Sequence, residues 1–136
     1  MKDPRGDGPS AIETGDAPQA VGPYSQALRT QEWLFCSGQI PLDPETGQLV
    51  AGGIEEQAQR VFDNLQAVLR AAGMDFGNVV NVTVYLTDLD DFAAVNALYE
   101  ERFQTPYPAR ATVGVSALPK GARLELALTA RSRAKS

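Results

Sequence analysis

The sequence predicts an α+β domain in which two helices pack on one face of a single sheet. Three observations carry that prediction. Ile54, Ala58, Val61, Phe62, Leu65, Val68, Leu69 and Ala72 recur at the i, i+4, i+7, i+8 spacing of an amphipathic helix. Val80, Val82, Val84 and Leu86 alternate with Asn81, Thr83 and Tyr85, the period-two pattern of a strand buried on one side. Leu124, Leu126 and Leu128 repeat that alternation around Glu125.

Residues 1–9 combine charge, glycine and proline and read as a disordered tail; residues 10–131 form a single domain, and residues 132–136 a flexible C-terminal tail. Apolar runs over 25–28 and 33–37 flank the polar Arg29-Thr30-Gln31-Glu32 and read as a hairpin. Pro41-Leu42-Asp43-Pro44-Glu45-Thr46-Gly47 forms an ordered turn, because proline fixes φ while Asp and Gly supply turn geometry. The helix over 54–72 then ends at Gly73, a residue suited to left-handed backbone just past a helix. After the strand over 80–86, Asp88 is placed to cap a second helix running to about Arg102, with Phe92, Val95, Tyr99 and Phe103 inward. Strands over 111–115 and 124–130 complete the order β-β-α-β-α-β-β. Two helices cover only one sheet face. By strand parity Asn81, Thr83, Tyr85 and Glu125 belong to the other, whose mixed character suits solvent or a partly wet subunit interface.

Composition narrows the function. A chain of 136 residues is long enough to bury roughly two thirds of its unfolded surface in one core. Its net charge of -5 and pI near 4.6 argue against nucleic acid and anionic membranes, which draw on clustered Lys and Arg. A local basic edge of Lys120, Arg123, Arg131, Arg133 and Lys135 is the one feature that favours a polyanion. Apolar runs such as Trp33-Leu34-Phe35-Cys36 are far too short to span a bilayer, and the N-terminal residues lack the apolar core of a secretory signal. A cytoplasmic location is expected. With one cysteine and no histidine, the chain has no internal disulfide, no ordinary zinc site and no Cys-His dyad; Cys36 reads as a core residue. The sequon Asn81-Val82-Thr83 lies within a strand of a chain without an export signal and is discounted.

Arg110 follows the proline-rich turn Thr105-Pro106-Tyr107-Pro108-Ala109. Proline restricts its own φ and pushes the preceding residue towards extended backbone, so the segment delivers the guanidinium at low conformational entropy. Two readings stand: a solvated arginine after a turn, or a receptor whose planar fork of donors matches a carboxylate. Glu125 lies on the next expected strand, and antiparallel pairing would bring the two together. They would form either a cross-strand ion pair or a site in which Arg110 holds a carboxylate while Glu125 handles a proton or a water.

Five segments extend the reading. Val21-Gly22-Pro23-Tyr24-Ser25-Gln26-Ala27, Ser37-Gly38-Gln39-Ile40-Pro41, Asp91-Phe92-Ala93-Ala94-Val95-Asn96, Pro108-Ala109-Arg110 and Leu118-Pro119-Lys120-Gly121-Ala122 resemble, in order and spacing, the signatures of the RidA/YjgF family of reactive enamine/imine deaminases. The resemblance covers about residues 11–130. It implies a chorismate-mutase-like α+β fold, a homotrimer with clefts between subunits, and hydrolysis of 2-aminoacrylate and related 2-imino acids to 2-keto acids and ammonia without metal or organic cofactor. By position, Arg110 would bind the substrate carboxylate and Glu125 would orient or activate water. Tyr24 would wall the pocket, Gly38 would admit backbone groups to the imine, and Phe92 and Asn96 would line it from the second helix. Without the resemblance, Tyr24 and Phe92 read as core aromatics, Gly38 as a strand-end bend and Asn96 as a solvated helix residue. Thr112, counted with the substrate-binding set, departs from the cysteine that many relatives of the closest subgroup carry there, and Gly114 replaces a common acidic residue. A non-catalytic sensor or stabilising partner using the same cleft is the alternative that the resemblance leaves open; a ribonuclease or translation-inhibiting role, attached to some relatives of the family, would rest on the basic edge and is opposed by the net charge of -5.

Overall fold

The computed structural model describes residues 8–133; the tail expectations for residues 1–7 and 134–136 lie outside the described residues. Six strands form one mixed sheet: β1 (Ser10–Ile12), β2 (Ala27–Thr30), β3 (Trp33–Gln39), β4 (Val79–Leu86), β5 (Ala109–Gly114) and β6 (Leu124–Arg131), in the order β1-β2-β3-β6-β4-β5. All neighbours are antiparallel except β4 and β5. The helices α1 (Ile54–Ala71) and α2 (Phe92–Arg102) supply the second layer, and the core lies between them and the inward residues of the sheet.

Helix α1 forms where its apolar period falls, with Ala58, Val61, Phe62, Leu65, Val68 and Leu69 buried. Glu55 and Glu56 occupy its first turn, favoured by the positive end of the helix dipole, and the Glu56 carboxylate accepts the Gly53 N–H at 2.7 Å. Gly73 at φ 75° ends it: the Gly73 and Met74 N–H groups donate to the Arg70 and Leu69 carbonyls, each at 2.9 Å. Asp88 caps a short 3-10 turn, Leu89–Asp91, that leads directly into α2. Leu124, Leu126, Leu128, Val82, Val84 and Leu86 pack beneath the helices, as their alternation requires.

Four details correct the sequence expectations. Strand β1 adds a three-residue edge too short to show a period. Arg29 and Thr30 belong to β2, and only Gln31-Glu32 turn the hairpin, with Gln31 at φ 56° where the usual Asn or Gly signal is missing. In β4 the register slips between Val79 and Asn81, so Val79 is buried while Val80 is 41% exposed; an extra residue in a ladder exchanges faces. Finally, β5 lies beside β4 rather than β6. Helix α2 is the crossover that parallel pairing requires, and it leaves the other edge of β4 to β6.

Candidate active site

Glu125 and Gly38 meet at an irregularity in the sheet. Between Cys36 and Gln39 strand β3 spends three steps against the two between Leu128 and Leu126 on β6, a bulge that exposes Gly38. The Glu125 side chain crosses that point so closely that a Cβ on Gly38 would stand 2.7 Å from Glu125 Cδ. Any larger residue at 38 would collide with the carboxylate. Glu125 is half-buried, and burial holds its carboxyl above the usual range. It opens on a cleft of about 640 Å³ shared with Tyr24, Gly38, Ile40, Leu42 and Lys120. The loop that carries Tyr24 is fixed by buried Gln26, which accepts the Thr14 N–H at 2.7 Å and donates to the Pro18 carbonyl at 2.8 Å. Nothing local in Ser25-Gln26-Ala27-Leu28 marks Gln26 for this role, because its partners lie 8 to 12 residues earlier in the chain.

Arg110 belongs to a different surface. It stands in register with buried Val82 across a parallel pair, so its side chain leaves β5 on the helix side. There Arg110 Nη1 donates to Asn96 Oδ1 at 2.7 Å. Its guanidinium carbon lies 4.7 Å from the Tyr99 ring centre and 5.2 Å from that of Phe92, within the range of cation–π attraction. Asn96, Tyr99, Glu100, Tyr107, Pro108 and Arg110 line a cleft of about 370 Å³. Thr112, half-buried beside Val84, points to the same side of β5 but lines neither cleft. Gly114 leaves room for Leu89, whose Cγ would stand 3.3 Å from a Cβ there.

The expected pairing of Arg110 with Glu125 therefore does not occur within the chain. Strand β4 lies between them; Arg110 aligns with Val82 and Glu125 with Tyr85, and the two side chains leave opposite faces of the sheet. Two strand spacings and three residue rises put their backbones roughly 14 Å apart. The cross-strand ion pair is excluded: Glu125 lines one cleft with Tyr24 and Gly38, while Arg110 lines another with Asn96 and rests its guanidinium near the Phe92 ring.

Other candidates resolve simply. Cys36 is buried, its thiol pushed up to about 12 by that burial, and it serves as core. Tyr99 was expected only in the core; its ring also supports Arg110, its hydroxyl is buried without a hydrogen-bond partner, and burial raises its phenol against the opposing charge of Arg110. The basic edge is largely neutralised: Arg123 donates to both Asp91 carboxylate oxygens at 2.7 and 3.2 Å, Arg131 pairs with Glu32 at 3.1 Å and Arg133 with Asp75 at 3.8 Å. Lys135 lies outside the described residues. Among the described residues no grouping of three or more His, Cys, Asp or Glu could hold a metal ion, and no helix is long and apolar enough to cross a membrane.

A family model described as Endoribonuclease L-PSP matches residues 14–132. The chain is 55% identical over 115 residues to RutC family protein y4sK of Sinorhizobium fredii, covering 85% of this chain and 91% of that protein. It is 50% identical over 115 residues to the 2-iminobutanoate/2-iminopropanoate deaminase of Homo sapiens, covering 85% and 84%. The crystal structure of RidA from the Antarctic bacterium Psychrobacter sp. PAMC 21119 superposes with a TM-score of 0.86 at 44% identity, over 90% of this chain and 98% of that one. The single mixed sheet with two helices on one face is the chorismate-mutase-like α+β fold of these relatives. By these likenesses the chain belongs to the RidA/YjgF family.

Proposed function

We propose that the protein hydrolyses reactive enamine and imine intermediates, such as 2-aminoacrylate, to 2-keto acids and ammonia in clefts between the subunits of a homotrimer. One observation supports the reading: Arg110 and Glu125, the residues that the family resemblance makes carboxylate receptor and proton-handling acid, line separate clefts on opposite faces of one sheet. A neighbouring copy supplies what each cleft lacks. The uncovered face favours such contact, since Leu28, Phe35 and Val113 are exposed there among Thr83, Tyr85 and Ala127, Phe35 to 47%.

In this reading Arg110 binds the substrate carboxylate and fixes the imine carbon over Glu125 of the adjoining subunit. The enamine first takes a proton from solvent at its terminal carbon and becomes the iminium. Water held by the Glu125 carboxylate then adds to the iminium carbon and gives one proton through Glu125 to the nitrogen; the carbinolamine hydroxyl next releases its proton to the Glu125 carboxylate and on to solvent, C=O forms, and the C–N bond breaks with ammonia as the leaving group. One water is consumed, and one 2-keto acid and one ammonia leave. The raised Glu125 carboxyl brings its proton affinity nearer to neutral pH, where a group that both takes and returns a proton works best. An iminium carbon is already electrophilic, so positioning supplies much of the remainder.

Charge-assisted hydrogen bonds are worth about 1.5–3 kcal/mol, so Arg110→Ala is expected to lose roughly tenfold to a hundredfold or more in kcat/KM. Ammonia or keto-acid release from freshly generated 2-aminoacrylate measures it. A folded Arg110→Ala trimer with full activity would sink this mechanism. The family description names a ribonuclease, but the Asp91, Glu32 and Asp75 partners of the basic edge weigh against that role. RNA binding that weakens steeply with added salt would restore it.

A further inference from the structure

Arg110 is exposed, and an exposed arginine ordinarily gives up much rotamer freedom when it grips a ligand. Here one face of α2 removes that freedom beforehand. Phe92, Asn96 and Glu100 follow one another at i, i+4 spacing, and Tyr99 lies one turn beyond Asn96 beside them. The Tyr99 and Phe92 rings hold the plane of the guanidinium, while Asn96 Oδ1 takes one of its five N–H groups. An amide can present either its oxygen or its nitrogen, and Glu100 holds the choice that suits Arg110. The guanidinium only donates and the carboxylate only accepts, so Asn96 keeps Oδ1 for Arg110 while Nδ2 is anchored on Glu100 Oε1, at 3.2 Å.

We propose that Glu100 and Tyr99 are positioning residues for Arg110: Glu100 sets the orientation of the Asn96 amide, Tyr99 offers its ring face, and together they present the Nη2 and Nε edge of the guanidinium to an incoming carboxylate. Asn96 and Phe92 then act mainly through Arg110, in addition to lining the cleft. The inference rests on the imino-acid reading for the identity of the substrate, but not for the geometry. Glu100 lies on the surface, so substitutions there leave the core intact. Tyr99 is buried, and Tyr99→Phe keeps its ring while removing a hydroxyl that has no partner.

The test is calorimetric binding of 2-oxobutanoate, paired with steady-state imine hydrolysis, on the full chain. Glu100→Ala should raise both Kd and KM about twofold to tenfold, the span of a single hydrogen bond, while kcat stays near that of the unmodified protein. Glu100→Gln retains an acceptor oxygen and should restore tight binding; a folded Tyr99→Leu, which removes the ring face, should weaken binding, and Tyr99→Phe, which keeps that face, should restore it. Unchanged Kd in Glu100→Ala or in folded Tyr99→Leu overturns the proposal. Equal weakening in Glu100→Gln would assign the effect to charge, and weakening in Tyr99→Phe would assign a ligand to the hydroxyl; either overturns it too. If the protein binds 2-oxobutanoate but hydrolyses no imine, the deaminase reading fails while the Kd series still decides the role of α2.

Discussion

Burial holds the Glu125 carboxyl above its ordinary 4.5, and the missing side chain of Gly38 is what lets it lie there. A carboxyl whose folded value is raised binds its proton more tightly folded than unfolded. It therefore favours folding as pH falls through the raised value, and above that value its ionised form costs stability. Glu125→Gln should accordingly melt higher at pH 7, with the gain shrinking as pH falls below the raised value and lost below 4.5. The same group should give kcat/KM an acid limb centred above 4.5, which Glu125→Gln abolishes along with most turnover. Melting temperature and rate, each followed against pH, check both halves. A variant no more stable at neutral pH, or one that keeps the limb, would move the proton chemistry to another residue. Neither environment was legible in the sequence: residue type and motif mark Arg110 and Glu125, but a pKa depends on what covers the group.

Elements with a long period were readable, and those defined by their neighbours were not. Helix α1 repeats its apolar stripe over 18 residues and ends at Gly73, so both its face and its end follow from local rules. The bulges at Val80 and Gly38 are properties of pairing with β6, and nothing in either strand alone announces them. The order of strands was missed for a similar reason: β5 and β6 are consecutive in the chain, yet the α2 crossover turns β5 parallel to β4. Arg123 anchors the segment between them. Arg123, just before β6, donates through its side chain to Asp91 at the start of α2 and through its N–H to Gln57 Oε1 of α1 at 3.0 Å. Asp91 is nearly buried, whereas the Arg123 side chain is 41% exposed and can be rehydrated once unpaired. Asp91→Ala should therefore cost about 1–3 kcal/mol, towards the lower end, read from the urea midpoint. An unchanged midpoint would mean that the backbone hydrogen bonds of Arg123, to Gln57 Oε1 and from the Thr87 N–H, hold this segment without Asp91.

For the molecule as a whole, the decisive fact is that Arg110 and Glu125 leave opposite faces of the same sheet. No side-chain rearrangement within one chain brings them onto a common substrate, because β4 and the core beneath it intervene. If each active site instead takes Arg110 from one subunit and Glu125 from the next around a cyclic trimer, two inactive variants should rescue one another. Arg110→Ala subunits still carry Glu125, and Glu125→Ala subunits still carry Arg110. Any mixed trimer, in either proportion, has one junction where both intact residues meet. With equal coexpression and random assembly about three quarters of trimers are mixed, so about a quarter of all sites should be restored. Imine hydrolysis by the coexpressed material should reach roughly that fraction of the unmodified rate, far above either variant assembled alone. Activity that stays at the sum of the two separate variants, in trimers shown by mass spectrometry to be mixed, would mean that Arg110 and Glu125 do not share a site across the subunit junction. Sedimentation that finds no trimer would remove the arrangement itself.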